Sequence, residues 1–260
     1  MEVMKQYEQV MQQIQDKTVT EEAIESFLKE AERLYQKEVN ACLSFNHPVE
    51  ACYYEYYVSK EEFVRVPVNM GYLYRTLGMM YEKERKLRKA ETSYNLAYRW
   101  NPVDLDTMYC MIEYYKKENE LEKLKKMTDK SYSYCCTRAD IAHYYRNLGF
   151  YYLEKYEADV AEALYGYSQC FYETKQAENE LAYLAKAKQQ EVKKSSVESM
   201  QRVLEQKGIP IQPSQKTLAI TYQVGKAFLQ SGDVDSAKEC FLMVYDLTQD
   251  EELQALLTSL

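Results

Sequence analysis

Residues 71–103 read GYLYRTLGMMYEKERKLRKAETSYNLAYRWNPV, and this stretch decides the fold. Tyr74, Leu77, Gly78, Tyr81, Ala90, Tyr94, Ala97 and Pro102 follow one another at spacings of 3, 1, 3, 9, 4, 3 and 5. Such spacing marks a helix–turn–helix unit that recurs every 34 residues or about that. Each position has a physical reason. Gly78 stands where two helices cross too closely for a side chain. Ala90 is the small residue expected to face that crossing, and Tyr74, Tyr81 and Tyr94 fill the space around it. Pro102 has no amide hydrogen and cannot continue the second helix. One hairpin cannot bury its own apolar face, so neighbours must stack on it.

The pattern recurs. Tyr145, Leu148, Gly149, Tyr152, Ala161, Tyr165 and Ser168 repeat it, and Val224, Gly225, Phe228, Ala237 and Phe241 repeat it again. Between the first two lies a degenerate copy, 105–138, with Met108, Met111, Ile112, Tyr115 and Leu124 in register. There Ile112 and Leu124 replace the glycine and alanine, so these two helices should stand further apart. Gly78 and Gly149 are 71 residues apart, which leaves three residues beyond two repeats of 34.

The rest of the chain is organised around these units. Residues 1–70 form an N-terminal helical region that does not follow the repeat. It holds an amphipathic helix over 2–15 and a helix from an N-cap at Thr20 to about Phe45. Asn46-His47-Pro48 breaks that helix with His47 as a turn residue, and a third helix starts near Val49. The segment 63–68 looks strand-like, but Pro67 and the helical context favour an extended linker. Repeats occupy 71–175, as 71–104, 105–138 and 142–175. Residues 176–217 are read as one long helix, 177–206, and a linker that begins at Gly208-Ile209-Pro210. Residues 218–260 hold the last repeat and a short capping helix from Asp250.

Composition narrows the classes. Seven glycines and five prolines in 260 residues are few, which suits long helices joined by short turns. No run approaches the roughly 18 apolar residues of a membrane span. Residues 1–15 lack the apolar core and cleavage site of a signal peptide. The seven cysteines are irregularly spaced and form no C-x-x-C pair, as expected of a cytoplasmic protein. The net charge of −8 is uneven. Residues 1–70 carry 7 basic and 13 acidic side chains, residues 71–141 carry 14 and 11, and residues 218–260 carry 2 and 7. Acidic ends argue against nucleic-acid binding, which needs a basic face for phosphates. The basic middle would suit an acidic peptide, or it is an ordinary solvated surface.

These residues resemble the tetratricopeptide repeat family. The likeness is strong over 71–104, 142–175 and 218–251, weak over 105–138, and absent over 1–70 and most of 176–217. The resemblance implies an all-α fold, a right-handed superhelix of stacked hairpins. Its concave groove is lined by the first helix of each repeat and holds a peptide or a partner's helix. Carried over position by position, the groove would present Tyr72, Arg75 and Met79, then Tyr109 and Glu113, then His143, Arg146 and Phe150, then Tyr222 and Lys226. Arg75 and Arg146 hold the same position in their repeats, and each guanidinium could grip a carboxylate bidentately. Either could instead pair with a local acid such as Glu82 or Glu113. The carboxylate clamp of chaperone-binding members is not present, because Met79, Cys110, His143 and Asn147 stand at its positions. Nor do residues 1–70 show the basic recognition helix of the DNA-binding members.

Catalytic signatures are absent. The two histidines, His47 and His143, lie 96 residues apart with no ligand at metal-binding spacing. A Cys–His pair of His143 with Cys135 or Cys136 is the sole candidate for an enzyme, and adjacent cysteines are more often incidental. Neither metal nor cofactor is expected. The 27 tyrosines include seven on repeat-defining positions, which are core. Others, such as Tyr72 and Tyr109, fall on the groove, where tyrosine gives contact area at low entropic cost. The sequence thus predicts a non-catalytic protein- or peptide-binding scaffold, with a self-associating structural protein, a homodimer, as the alternative.

Overall fold

The structure is a computed structural model that describes residues 2–35, 41–189 and 195–260. Those residues are helical apart from one short parallel strand pair, so the all-α expectation holds. The chain divides into two compact units, residues 1–114 and 115–260.

The hairpins α4–α5 (Met70–Lys83, Leu87–Trp100), α8–α9 (Arg138–Glu154, Ala158–Phe171) and α12–α13 (Gln215–Ser231, Val234–Thr248) are the three clear repeats. Each closes on a glycine, but an aromatic ring rather than the small residue lies over it. A Cβ on Gly78 would come within 2.6 Å of the Tyr94 ring, and one on Gly225 within 2.8 Å of Phe241. At Gly149 the Tyr165 ring leaves 3.1 Å. Ala90, Ala161 and Ala237 are fully buried beside these contacts. Helix α6 (Leu105–Lys117), where Ile112 holds the glycine position, contains the boundary between the units.

One turn geometry joins the helices. Tyr81 O accepts from Lys86 N (2.8 Å) and Glu82 O from Arg85 N (3.0 Å). Tyr115 and Glu120 (2.9 Å), Tyr152 and Glu157 (2.9 Å), and Phe228 and Asp233 (3.0 Å) repeat the longer bond. These bonds turn each chain through one left-handed residue and satisfy the last carbonyls of the first helix. Those residues are Arg85 (φ 62°), Asn119 (57°), Tyr156 (61°) and Gly232 (85°).

Unit 1 contains a hairpin with the same turn that the sequence does not announce. Helices α1 (Glu2–Gln15) and α2 (Glu21–Tyr35) pack together, with Thr18 N donating to Gln13 O at 2.9 Å and Lys17 at φ 58°. Helix α2 then packs on α4. The second expected helix is therefore shorter than read: α2 ends at Tyr35, residues 36–40 lie outside the described residues, and 41–43 are a strand. The extended-linker reading of 63–68 is corrected as well. Strand β1 (Ala41–Leu43) pairs in parallel with β2 (Phe63–Arg65), Ala41 opposite Phe63 and Leu43 opposite Arg65. Pro67 lies beyond the strand, where its missing amide costs no ladder bond. Phe63 packs edge-on against Phe45 (5.6 Å) and Tyr54 (5.3 Å), which fixes the pair over α3 (Pro48–Tyr57).

His47 is the N-cap of α3: its Nδ1 accepts from Val49 N at 3.1 Å. Glu50 closes the capping box and also ties α3 to the end of α5. Its Oε2 accepts from Asn46 N (2.7 Å) and from Asn101 Nδ2 (2.8 Å). Ser44 continues the seam, donating its amide to Trp100 O (2.9 Å) and accepting from Gly71 N (3.1 Å).

In unit 2 the single helix expected over 177–206 is two. Helix α10 (Lys175–Ala187) ends at Lys188, with Gln189 at φ 53°, and α11 (Val197–Gln206) starts from an N-cap at Ser196. Residues 190–194 lie outside the described residues. Helices α10 and α11 both pack on α9. The C-terminal α14 (Glu251–Ser259) closes the last hairpin: Leu253, Leu256, Leu257 and Leu260 join the core of Leu218, Phe241 and Val244.

Candidate binding faces

In unit 1 the α4 positions Tyr72, Arg75 and Met79 lie at i, i+3 and i+7 and share a face. Tyr72 is half-buried and Met79 is 53% exposed, as contact residues would be. Arg75 differs. It is 9% exposed, with Nη1 on Asp104 Oδ2 at 2.7 Å and Nη2 on Asp106 Oδ2 at 3.2 Å. Its guanidinium also stacks 5.4 Å from the Tyr72 ring. Asp104 accepts in addition from Thr107 Oγ1 at 2.5 Å. This network locks the start of α6 to α4 and gives Arg75 a structural employment that charge recognition would have to break. The partners are Asp104 and Asp106, not Glu82, which accepts from the Tyr94 hydroxyl at 2.8 Å.

Tyr109 and Glu113 are half-buried one turn apart on α6. Tyr72 also forms part of the wall of a 610 Å³ groove, facing Met11, Ile14 and Gln15 of α1. That helix was invisible to the repeat pattern, and it supplies the opposite wall. On the other side of α4 a 380 Å³ cleft lies between α2 and α5, lined by Glu25, Glu32, Tyr74, Tyr81, Arg88 and Lys89. Two of its charged groups pair, Lys89 Nζ with Glu25 Oε1 at 3.6 Å. The Tyr81 hydroxyl donates to Glu25, which lowers the pKa of that carboxyl.

In unit 2 the α8 positions His143, Arg146 and Phe150 are half-exposed at i, i+3 and i+7, while Tyr144, Tyr145, Asn147 and Leu148 between them are buried. The structure thus brings these three predicted residues onto one stripe. Lys116 extends it: its Nζ lies 5.4 Å from the Phe150 ring and donates to Asn147 Oδ1 at 2.8 Å. On α12, Lys226 is exposed and stands 5.7 Å from the half-buried Tyr222 ring. The α12–α13 hairpin is anchored beside the N-terminus of α8, where Asp246 Oδ2 accepts from Arg138 N (2.6 Å) and Ser133 O from Thr217 Oγ1 (2.7 Å).

The cysteines have packing roles. Cys135 Sγ donates to Ser131 O at 3.3 Å, and Cys136 Sγ lies 3.8 Å from Met243 Sδ. Burial pushes the Cys110 thiol up to about 11, far from an activated thiolate. None of the seven cysteines is in a disulfide. Among the described residues, no group of three or more His, Cys, Asp or Glu could hold a metal ion, and no helix is long and apolar enough to cross a membrane.

No protein-family model and no curated protein matches the chain. Among solved structures the chain is similar to YrrB, described as a TPR protein with an unusual peptide-binding site. The identity is 13%, over 81% of this chain and 98% of that one, with a TM-score of 0.39. The likeness to tetratricopeptide hairpins therefore stands on the chain's own geometry: aromatic-on-glycine crossings, buried alanines and a shared left-handed turn.

Proposed function

We propose that this chain is a non-catalytic, cytoplasmic scaffold that binds a protein or peptide, and that the α8 face of unit 2 makes the decisive contact. The observation that carries this reading is the stripe of His143, Arg146 and Phe150, half-exposed on a helix whose other central residues are buried. With Lys116 beside it the stripe combines an aromatic surface with cationic groups, which suits a peptide with a carboxylate near an apolar side chain. Tyr72 and Met79 in unit 1, and Tyr222 and Lys226 in unit 2, are further contact positions in this proposal. Arg75 is assigned to the fold. Arg146→Glu with Phe150→Ala should remove binding and leave helicity unchanged. A partner held with native affinity by that variant would overturn the assignment.

A further inference from the structure

The opposite side of α8 carries a second arrangement. Three tyrosines from three elements converge on one irregular segment, residues 209–213, between α11 and α12. The Tyr145 hydroxyl on α8 donates to Pro210 O (2.8 Å), Tyr167 on α9 to Ile211 O (2.7 Å), and Tyr132, in the turn after α7 (Leu121–Ser131), to Gln212 O (2.6 Å). Three successive main-chain carbonyls are thus each met by a hydroxyl. Gln201 Nε2 donates to the Tyr167 oxygen at 3.0 Å, which leaves that hydroxyl's proton to point at Ile211. The rings form a continuous pavement, with Tyr145 5.0 Å from Tyr167 and 5.7 Å from Phe171, and Tyr144 5.1 Å from Tyr132. Ile209, at the start of the segment, is buried.

We propose that this pavement is a binding site for proline-containing, non-helical peptide, which the chain fills in cis with its own Pro210-Ile211-Gln212-Pro213. Hydroxyl-to-carbonyl bonds read main chain and not side chains, so the site is not restricted to this one sequence. Proline at both ends of the segment fixes φ and lowers the entropy lost on docking, the physical basis on which aromatic-lined surfaces take Pro-x-x-Pro segments. The hydroxyls supply the partners that these carbonyls need once they leave water, and all three stand on one aromatic surface. A segment tethered at both ends is present at an effective concentration on the order of millimolar, so a free short peptide does not displace it. A partner enters by displacing the strap with a longer proline-containing segment. This site is separate from the His143–Phe150 stripe, and the two proposals stand or fall independently.

The probe is a fluorescent heptapeptide of the sequence at 208–214, Gly-Ile-Pro-Ile-Gln-Pro-Ser, titrated against full-length chains by anisotropy. Weakening the strap with Ile209→Ala, Pro210→Gly and Pro213→Gly should raise the affinity for the probe at least tenfold over the native chain. Adding Tyr132→Phe, Tyr145→Phe and Tyr167→Phe, which keep the rings, should abolish the gain. A folded strap variant that binds no tighter than the native chain would overturn the proposal, as would binding that survives the three phenylalanines. Loss of helicity in the strap variant would also overturn it, because a site outlasts the loss of its ligand. In the native chain, the three Tyr→Phe changes alone should speed tryptic cleavage after Lys207 severalfold. An unchanged cleavage rate contradicts the cis contact.

Discussion

Tyr156 shows what a single residue reveals in this fold. It is 95% exposed and sits at φ 61° in the turn where the last repeat uses Gly232. A β-carbon in that region costs about 1–2 kcal/mol, and part of that is recovered from the lower entropy of an unfolded tyrosine. Tyr156→Gly should therefore raise the stability of unit 2 by about 0.5–1 kcal/mol, read as a higher urea midpoint. A lower midpoint would mean that the ring makes a stabilising contact. Gly78 behaves in the opposite way. Alanine normally favours a helix over glycine by about 1 kcal/mol, but here its Cβ meets the Tyr94 ring, and overpacking costs about 1–3 kcal/mol. Gly78→Ala should destabilise, and by more than Gly149→Ala, where the Tyr165 ring stands further off. Equal urea midpoints for the two variants would contradict the crossing geometry. The glycines were legible in sequence because spacing alone marks them. Tyr156 was not, since a left-handed residue other than glycine carries no compositional sign.

Hairpins were readable where a glycine and an aromatic sit 16 residues apart, as Gly78 and Tyr94 do. The α1–α2 hairpin has no glycine, and its helices meet through Tyr7 and Phe27 at a different spacing, with ring centroids 5.8 Å apart, so its repeat-like form is visible in the turn at Lys17 and not in the sequence pattern. The strand pair was missed because three-residue strands are too short to show alternation, and because Pro67 argues against pairing until its place beyond the ladder is known. The break between α10 and α11 was missed for lack of a glycine or proline at Gln189. How α3 is joined to α5 also yields a pH test. Burial, and then the Asp104 carboxylate, raise the pKa of Glu50 above the ordinary range, while bonds from Asn101, Asn46 and His47 pull the other way. The folded chain then holds this proton more tightly than the unfolded one. That contribution is complete below the ordinary Glu value of about 4.3 and is lost as pH rises through the folded value. Glu50→Gln keeps an acceptor and removes the titration. Its stability relative to the native chain should rise in urea unfolding as pH increases from the ordinary Glu value of about 4.3, and a difference independent of pH would contradict the burial of that carboxylate.

At the scale of the whole molecule the proposed function rests on surfaces. The sequence placed His143, Arg146 and Phe150 on one helix face, and the structure keeps them half-exposed there. It also aligned Arg75 with Arg146, but it did not show the ion pairs of Arg75. Asp104 and Asp106 lie 29 and 31 residues beyond Arg75, too far in the chain for local pattern to reveal the pairing. An Arg75→Glu change would set a third carboxylate against those two and damage the fold, so it cannot report on binding. The tyrosine pavement was hidden for a related reason: its ligand is a linker whose prolines read as punctuation. The central claim is that the α8 face of unit 2 binds a partner. The most direct measurement is affinity capture from the native host's lysate with the native chain beside Arg146→Glu/Phe150→Ala, both checked for helicity and read out by mass spectrometry. The account predicts a partner held by the native chain and lost from the variant. The same partner recovered equally from both would contradict it.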